Sequence, residues 1–156
     1  MNLKLRDADE YDRHLIWSIR NEPEVREASF NTNEIPWEDH KKWYARALGN
    51  ENIIMYMIEL DEIPIGTIRF DREGNLTTVS IAISSGFRGM NYGSAALRMA
   101  CEKYRAEHPR ANILAYIKCG NVKSTFAFIK AGFISQGIEI ISGEPSYHFE
   151  YETPLK

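Results

Sequence analysis

Leu76-Thr77-Thr78-Val79-Ser80-Ile81-Ala82-Ile83-Ser84 is followed by Ser85 and then by Gly86-Phe87-Arg88-Gly89-Met90-Asn91-Tyr92-Gly93. The first stretch is a β-rich apolar run. The second is a glycine-rich turn, and from Tyr92 to Glu107 the spacing becomes helical, with Gly93, Leu97, Ala100, Cys101 and Tyr104 on one stripe. A strand that passes through glycines into a helix has a specific physical use. Glycine lets the backbone turn tightly and approach a ligand. The first amide N–H groups of the helix lack partners within it, and the helix dipole favours negative charge there. A pyrophosphate suits such a place, and Arg88 adds charge at its rim.

Outward from this stretch the pattern is mixed. Upstream, Ile53 to Leu60, Ile63 to Phe70 and Leu76 to Ser84 are separated by short turns at Asp61-Glu62 and Asp71 to Asn75, which predicts an antiparallel meander. Leu3 to Arg6 reads as a first strand, and Asp7 or Asp9 caps a helix through about Ile19. A short helical piece begins near Pro23. Another starts at Pro36, with Trp37, Trp43, Tyr44, Ala47 and Leu48 on its apolar side, and stops at Gly49-Asn50. Downstream, His108-Pro109 ends the long helix, Ile113 to Ile117 is a strand, and Asn121 to Ala131 is a helix stopped by Gly132. Ile134 to Ile141 and Tyr147 to Tyr151 form a closing hairpin. The crossover from Ser84 to Ile113 places two strands in parallel. The whole chain, 1–156, reads as one α+β (mixed α/β) domain. It is not a doubly wound dinucleotide fold, because the glycine-rich turn follows antiparallel strands in mid-chain.

Composition narrows the function. A formal net charge of -3 argues against a nucleic-acid binder. No apolar run reaches membrane-spanning length, and the N-terminus has no signal-peptide core. Cys101 and Cys119 form no metal-spacing motif, and no pair among the four histidines has helix-face spacing, so no metal is expected. A reduced, cytoplasmic setting is the simplest reading. Monomer and homodimer both remain open.

The helix after the next strand carries a second signal. Asn121, Ser124 and Phe128, spaced i, i+3, i+7, share one face. Val122, Thr125, Phe126 and Ile129 share the other, which is expected to go to the core. Arg88-x-x-Asn91-x-Gly93-x-Ala95, with Asn121-x-x-Ser124 and Ala131-Gly132-Phe133, resembles the GNAT superfamily of acetyltransferases over essentially the full chain. The resemblance implies a central, mostly antiparallel twisted sheet with one splayed parallel pair and helices on both faces. It implies acetyl-CoA as cofactor, held by Ile81, Ala82 and Ile83, by the turn Arg88, Gly89, Met90, Asn91, Tyr92, Gly93 and Ser94, and by Asn121, Ser124 and Phe128. A primary amine then attacks the thioester directly, and a strand N–H polarises the carbonyl. The residues leave open whether the acyl group is acetyl or longer.

Two residues depart from the pattern. Asn91 stands where the turn usually has glycine, and asparagine tolerates a left-handed backbone. Phe128 occupies the place where many members keep a tyrosine that protonates the departing thiolate. No carboxylate lies on Leu76 to Ser84 to serve as a base. Ser124 and Tyr116 are the candidate proton donors. His40 is a candidate base, or an acceptor contact, since its reference pKa near about 6.5 suits proton transfer. Arg20, Asn21, His40 and Arg69 are the candidate acceptor residues, while Trp17 and Trp43 read as core. The segments Trp17 to Arg26, Glu38 to Trp43 and Ile65 to Phe70 resemble the branch that acetylates nucleotide-linked amino-sugars, as in pseudaminic or legionaminic acid synthesis. They resemble less closely the branch that acetylates ribosomal-protein N-termini. Phe128 and the carboxylate-free strand keep a non-catalytic acyl-CoA-binding module as the reading from another class.

Overall fold

The structure, a computed structural model, describes residues 2–152. Among them seven strands form one sheet in the order β1-β2-β3-β4-β5-β7-β6. β1 (Leu3–Asp7), β2 (Ile53–Leu60), β3 (Ile63–Glu73) and β4 (Leu76–Ile83) are successive antiparallel neighbours. β5 (Asn112–Lys118) lies parallel to β4. The closing hairpin, β6 (Phe133–Ile141) and β7 (Glu144–Tyr151), folds back so that β7 pairs with β5 and β6 becomes the edge. The helices are α1 (Arg13–Arg20), α2 (Pro23–Ala28), α3 (Trp37–Leu48), α4 (Tyr92–Glu107) and α5 (Val122–Ala131). No helix among the described residues is long and apolar enough to cross a membrane.

β2 shows why both faces of the sheet are covered. Tyr56, Ile58 and Leu60 point into the larger core with Leu97, Ala100 and Cys101 of α4 and Phe128 and Ala131 of α5. Met55 and Met57 point the other way and meet Ile16 of α1 and Tyr44 and Ala47 of α3. A strand buried on both faces needs the near-continuous apolar run that Ile53 to Leu60 supplies.

Four expectations about elements change. Asp7 finishes β1 rather than opening a helix, and Asp9 starts a capping box over a 3-10 turn, Glu10–Asp12, before α1. The Asp12 carboxylate accepts the Asp9 N–H at 2.9 Å and two N–H groups of Arg6 at 2.7 Å each. Arg6 also donates to Glu59 at 2.9 Å, so one guanidinium ties β1, β2 and the helix start together. β3 runs on to Glu73 and turns at Gly74, whose φ of +62 needs glycine's freedom. Leu48, expected on the apolar side of α3, is exposed, while His40, expected as a base or acceptor contact, is buried in the core. The faces of α5 are rotated: Phe128 and Ala131 are buried, and Val122, Phe126 and Ile129 are exposed. Phe133, the first residue of β6, packs at 5.0 Å against Phe128 and fixes that rotation. The pull of an adjoining strand outweighs the local apolar count.

His40 is stacked among Trp37, Trp43 and Tyr44, and its Nε2–H donates to the Arg13 carbonyl at 2.8 Å. Burial holds the imidazole below its usual pKa, the Arg13 bond opposes that, and Arg20, Arg13 and His14 reinforce it. The unfolded chain therefore binds a proton that the folded chain refuses as pH drops below the ordinary histidine value of about 6.5. Stability from this residue is full at neutral pH and is lost as pH falls toward the folded value. We expect the melting temperature of wild type to fall more steeply between pH 7 and 5.5 than that of His40→Gln. Parallel slopes would contradict the assignment.

Candidate active site

β4 and β5 are paired only from Leu76 opposite Asn112 to Thr78 opposite Leu114. Each keeps its outer neighbour beyond that point. β4 stays on β3 through Ile83 opposite Gly66, and β5 stays on β7 through Lys118 opposite Ser146. The inner edges therefore separate, and backbone groups of Val79 to Ile83 face those of Tyr116 to Lys118 across a gap. A cleft of about 1340 Å³ runs through this gap. Gly66 holds one wall in place: a Cβ there would stand 2.5 Å from the Ala82 carbonyl oxygen, so β3 and β4 approach more closely than any side chain permits.

The glycine-rich turn lies at one end of the cleft. Gly89 has φ +78 and Asn91 is left-handed at φ 66, the conformation its short polar side chain tolerates. Asn91 provides no side-chain cap to α4, and no acid sits in the first turn. The first helical hydrogen bond runs from the Ala95 N–H to the Asn91 carbonyl at 3.3 Å. The positive end of the helix dipole and its early amides are thus left for an outside anion. Gly89, Asn91, Gly93 and Ser94 line the cleft, whereas Met90 points to solvent and Tyr92 packs on the larger core. Asn121 caps α5 by accepting the Ser124 N–H at 3.2 Å and lines the opposite wall with Ser124, while Phe128 forms part of the floor. A free strand edge, an uncapped helix start and a long gap between them fit a pyrophosphate joined to an extended amide-bearing arm.

Arg88 does not contribute free charge to this turn. Its guanidinium donates to the Ile83 carbonyl, to Glu24 and to Glu22, each at 2.9 Å. Glu22 also accepts the Ser85 N–H at 3.0 Å. The residue is a clasp that fastens the start of α2 to the turn.

The other end of the cleft is lined by Arg20 of α1, Trp43 of α3, Thr67 and Arg69 of β3, Ser80 of β4 and Tyr116 of β5. Two expected acceptor residues are elsewhere. Asn21 spends both amide atoms on Ile35, donating to its carbonyl at 3.0 Å and accepting its N–H at 2.7 Å, and so anchors the loop from 29 to 36. His40 is 1% exposed and is not part of the cleft wall, which removes it as base and as contact. Trp43, read as core, is half-buried and forms cleft wall. No local spacing links it to Arg20 or Arg69; only the packing of α3 on β2 brings them together. Tyr116 packs at 5.0 Å against His148, whose Nδ1 lies 2.7 Å from Glu139 across the β6–β7 hairpin. Burial and the Glu139 charge hold the Tyr116 phenol above its usual pKa, so it stays protonated at neutral pH. The His148–Glu139 contact depends on a bulge between Ser135 and Gly137 that no spacing rule reveals.

Comparison with known proteins agrees with this geometry. No curated protein matches the chain by sequence. Among solved structures, the spermidine N-acetyltransferase of Vibrio cholerae in complex with CoA and spermine superposes with a TM-score of 0.85 at 14% identity, over 95% of this chain and 94% of that one. The aminoglycoside acetyltransferase AAC(6')-Ib in complex with coenzyme A and kanamycin superposes with a TM-score of 0.81 at 18% identity, over 96% and 94%. At such identities these likenesses speak for the fold. The family described as acetyltransferase (GNAT) domain matches residues 2–134, most of the chain. The splayed strand pair, the uncapped helix start and this match together establish that the protein belongs to the GNAT acetyltransferase family.

Proposed function

We propose that the protein transfers an acetyl group from acetyl-CoA to a primary amine, and that the amine belongs to a nucleotide-linked amino-sugar. The observation that carries this reading is one continuous cleft. Its one end is a phosphate-type turn, its middle a free strand edge, and its other end a polar and aromatic wall.

Bound there, acetyl-CoA supplies an activated acetyl carbonyl. Gly89, Asn91, Gly93 and Ser94 hold its pyrophosphate, and Ile81, Ala82 and Ile83 pair with its amide arm and turn an N–H toward the carbonyl oxygen. Asn121 and Ser124 close the opposite side. The acceptor approaches from the wall of Arg20, Trp43 and Arg69. Tyr116, kept protonated, is the first choice to return a proton to sulfur, and Ser124 the second. A thiol with a pKa of about 8.5 asks little of that donor, which accounts for a site with phenylalanine at 128. Since β4 carries no carboxylate, the acceptor's proton leaves to water in the cleft.

Two experiments address this reading. Free thiol is followed with acetyl-CoA and a panel of nucleotide amino-sugars, aminoglycosides, spermine and peptides with free N-termini. Turnover is expected with a nucleotide amino-sugar. Thiol release at the hydrolysis background for every sugar, with turnover on another class, overturns the substrate assignment. Separately, Gly93→Asp places an anion where the pyrophosphate is held, next to Ile81 and Ile83. CoA affinity should drop at least about tenfold, roughly the 1.4 kcal/mol of one misplaced charge. Affinity within twofold of wild type would refute the placement.

A further inference from the structure

Arg20 and Arg69 come from distant parts of the chain and converge on one indole. The guanidinium carbon of Arg20 lies 5.1 Å from the centroid of the Trp43 ring, and that of Arg69 lies 5.0 Å from it. All three line the acceptor end of the cleft. Arg69 is steered by its neighbour Asp71, which accepts its Nε–H at 2.8 Å. Arg20 has no such partner: among the described residues it makes no hydrogen bond and no ion pair, and its guanidinium lies on the face of Trp43. A guanidinium carries five N–H donors, and a half-buried one without acceptors is costly unless something supplies them. Burial, and then repulsion from Arg69, pull the Arg20 pKa down to about 10, with Asp71 opposing. Lys118, further along the same wall, is already taken by the Glu27 carbonyl at 2.8 Å. Glu34 and Asp39 also line the cleft, yet neither forms an ion pair with these two arginines.

We propose that Arg20 and Arg69, braced on Trp43, form a binding site for an anionic group on the acceptor, a carboxylate or a phosphate carried by the same molecule as the attacking amine. An anion between the two forks supplies the missing acceptors and relieves the repulsion of the like charges, and guanidinium matches both anions bidentately. Two positive charges on that wall select against polycationic amines. This inference rests on the acetyltransferase reading for its word acceptor, but the anion site stands or falls on binding alone.

The test has two arms. In the first, binding is measured by calorimetry with CoA at saturation, so that the phosphate turn is filled. The probes are UMP against uridine for phosphate, and N-acetylglycine against N-acetylglycinamide for carboxylate. Each anion is expected to bind better than its neutral partner. Arg20→Gln and Arg69→Gln should weaken the anion at least about tenfold, the smaller end of a charge-assisted pair. The preferred anion identifies the source, and equal weak binding of charged and neutral probes overturns the site. If either variant fails to fold, the wild-type chain still decides, because affinity for the anion must fall as salt rises and that for the neutral probe must not. In the second arm, kcat/KM is compared for matched amines that differ only as acid and amide. Anion binding without turnover of any amine removes the acetyltransferase reading and leaves the site. Turnover with no preference for acid over amide, unchanged in Arg20→Gln, removes the site and leaves the acetyltransferase.

Discussion

Everything functional in this structure depends on two strands that start as neighbours and then part. β4 and β5 share three residue pairs and then separate, although each continues as a strand. Strand edges without partners are unfavourable, since a buried N–H or C=O left unmatched costs about 1–3 kcal/mol. The fold keeps the gap open by holding each strand from its outer side. β3 grips β4 through the glycine contact at Gly66 and Ala82, and β7 grips β5 because the closing hairpin folds back beside it. β6, whose Ile134, Ile138 and Ile140 are exposed, is left at the sheet edge. The gap is thus a property of strand order, and an extended amide-bearing ligand is what satisfies its edges.

The N-terminal helices are fastened to this gap at two points. Arg88 and Ser85 hold Glu22 and Glu24 at the turn, and Lys118 of β5 holds the Glu27 carbonyl. Partly exposed ion pairs contribute little stability singly, on the order of 0–1 kcal/mol. Here their use is geometric: α2 is tied to both walls, so the acceptor end has a fixed position relative to the turn. Asn21 extends the same logic by tying the loop before α3 to α1. A residue that looks like a ligand contact in sequence can serve the site by positioning another element instead, as Arg88 and Asn21 do.

Much of the fold was legible because its signals are local. The meander, the turn before α4, the Asn121 cap and the Gly132 stop each rest on a few adjacent residues, and each is found where the spacing puts it. Of the candidate site residues, the turn glycines, Asn121 and Ser124 line the cleft for the same local reason, and Arg20 and Arg69 line it as well. What the sequence hid are relations across the chain. The rotation of α5 is set by Phe133 and Phe149, the burial of His40 by a ring of aromatics, and the role of Trp43 by two arginines 23 and 26 residues away in the chain. Apolar counting assigned Val122, Phe126 and Ile129 to the core because it could not see which side the sheet would occupy. The same blindness made Arg88 look free when its two carboxylate acceptors lie more than sixty residues away in sequence.

The central claim is that the parted strands and the turn into α4 form one cofactor site. Amide hydrogen exchange, measured with and without desulfo-CoA, tests it residue by residue. Protection is expected at Ile81 to Ile83 and at Gly93 and Ser94, with little change along β1 and β2, which are already paired. Unchanged exchange at both places while CoA binds, with protection appearing elsewhere, would contradict the account.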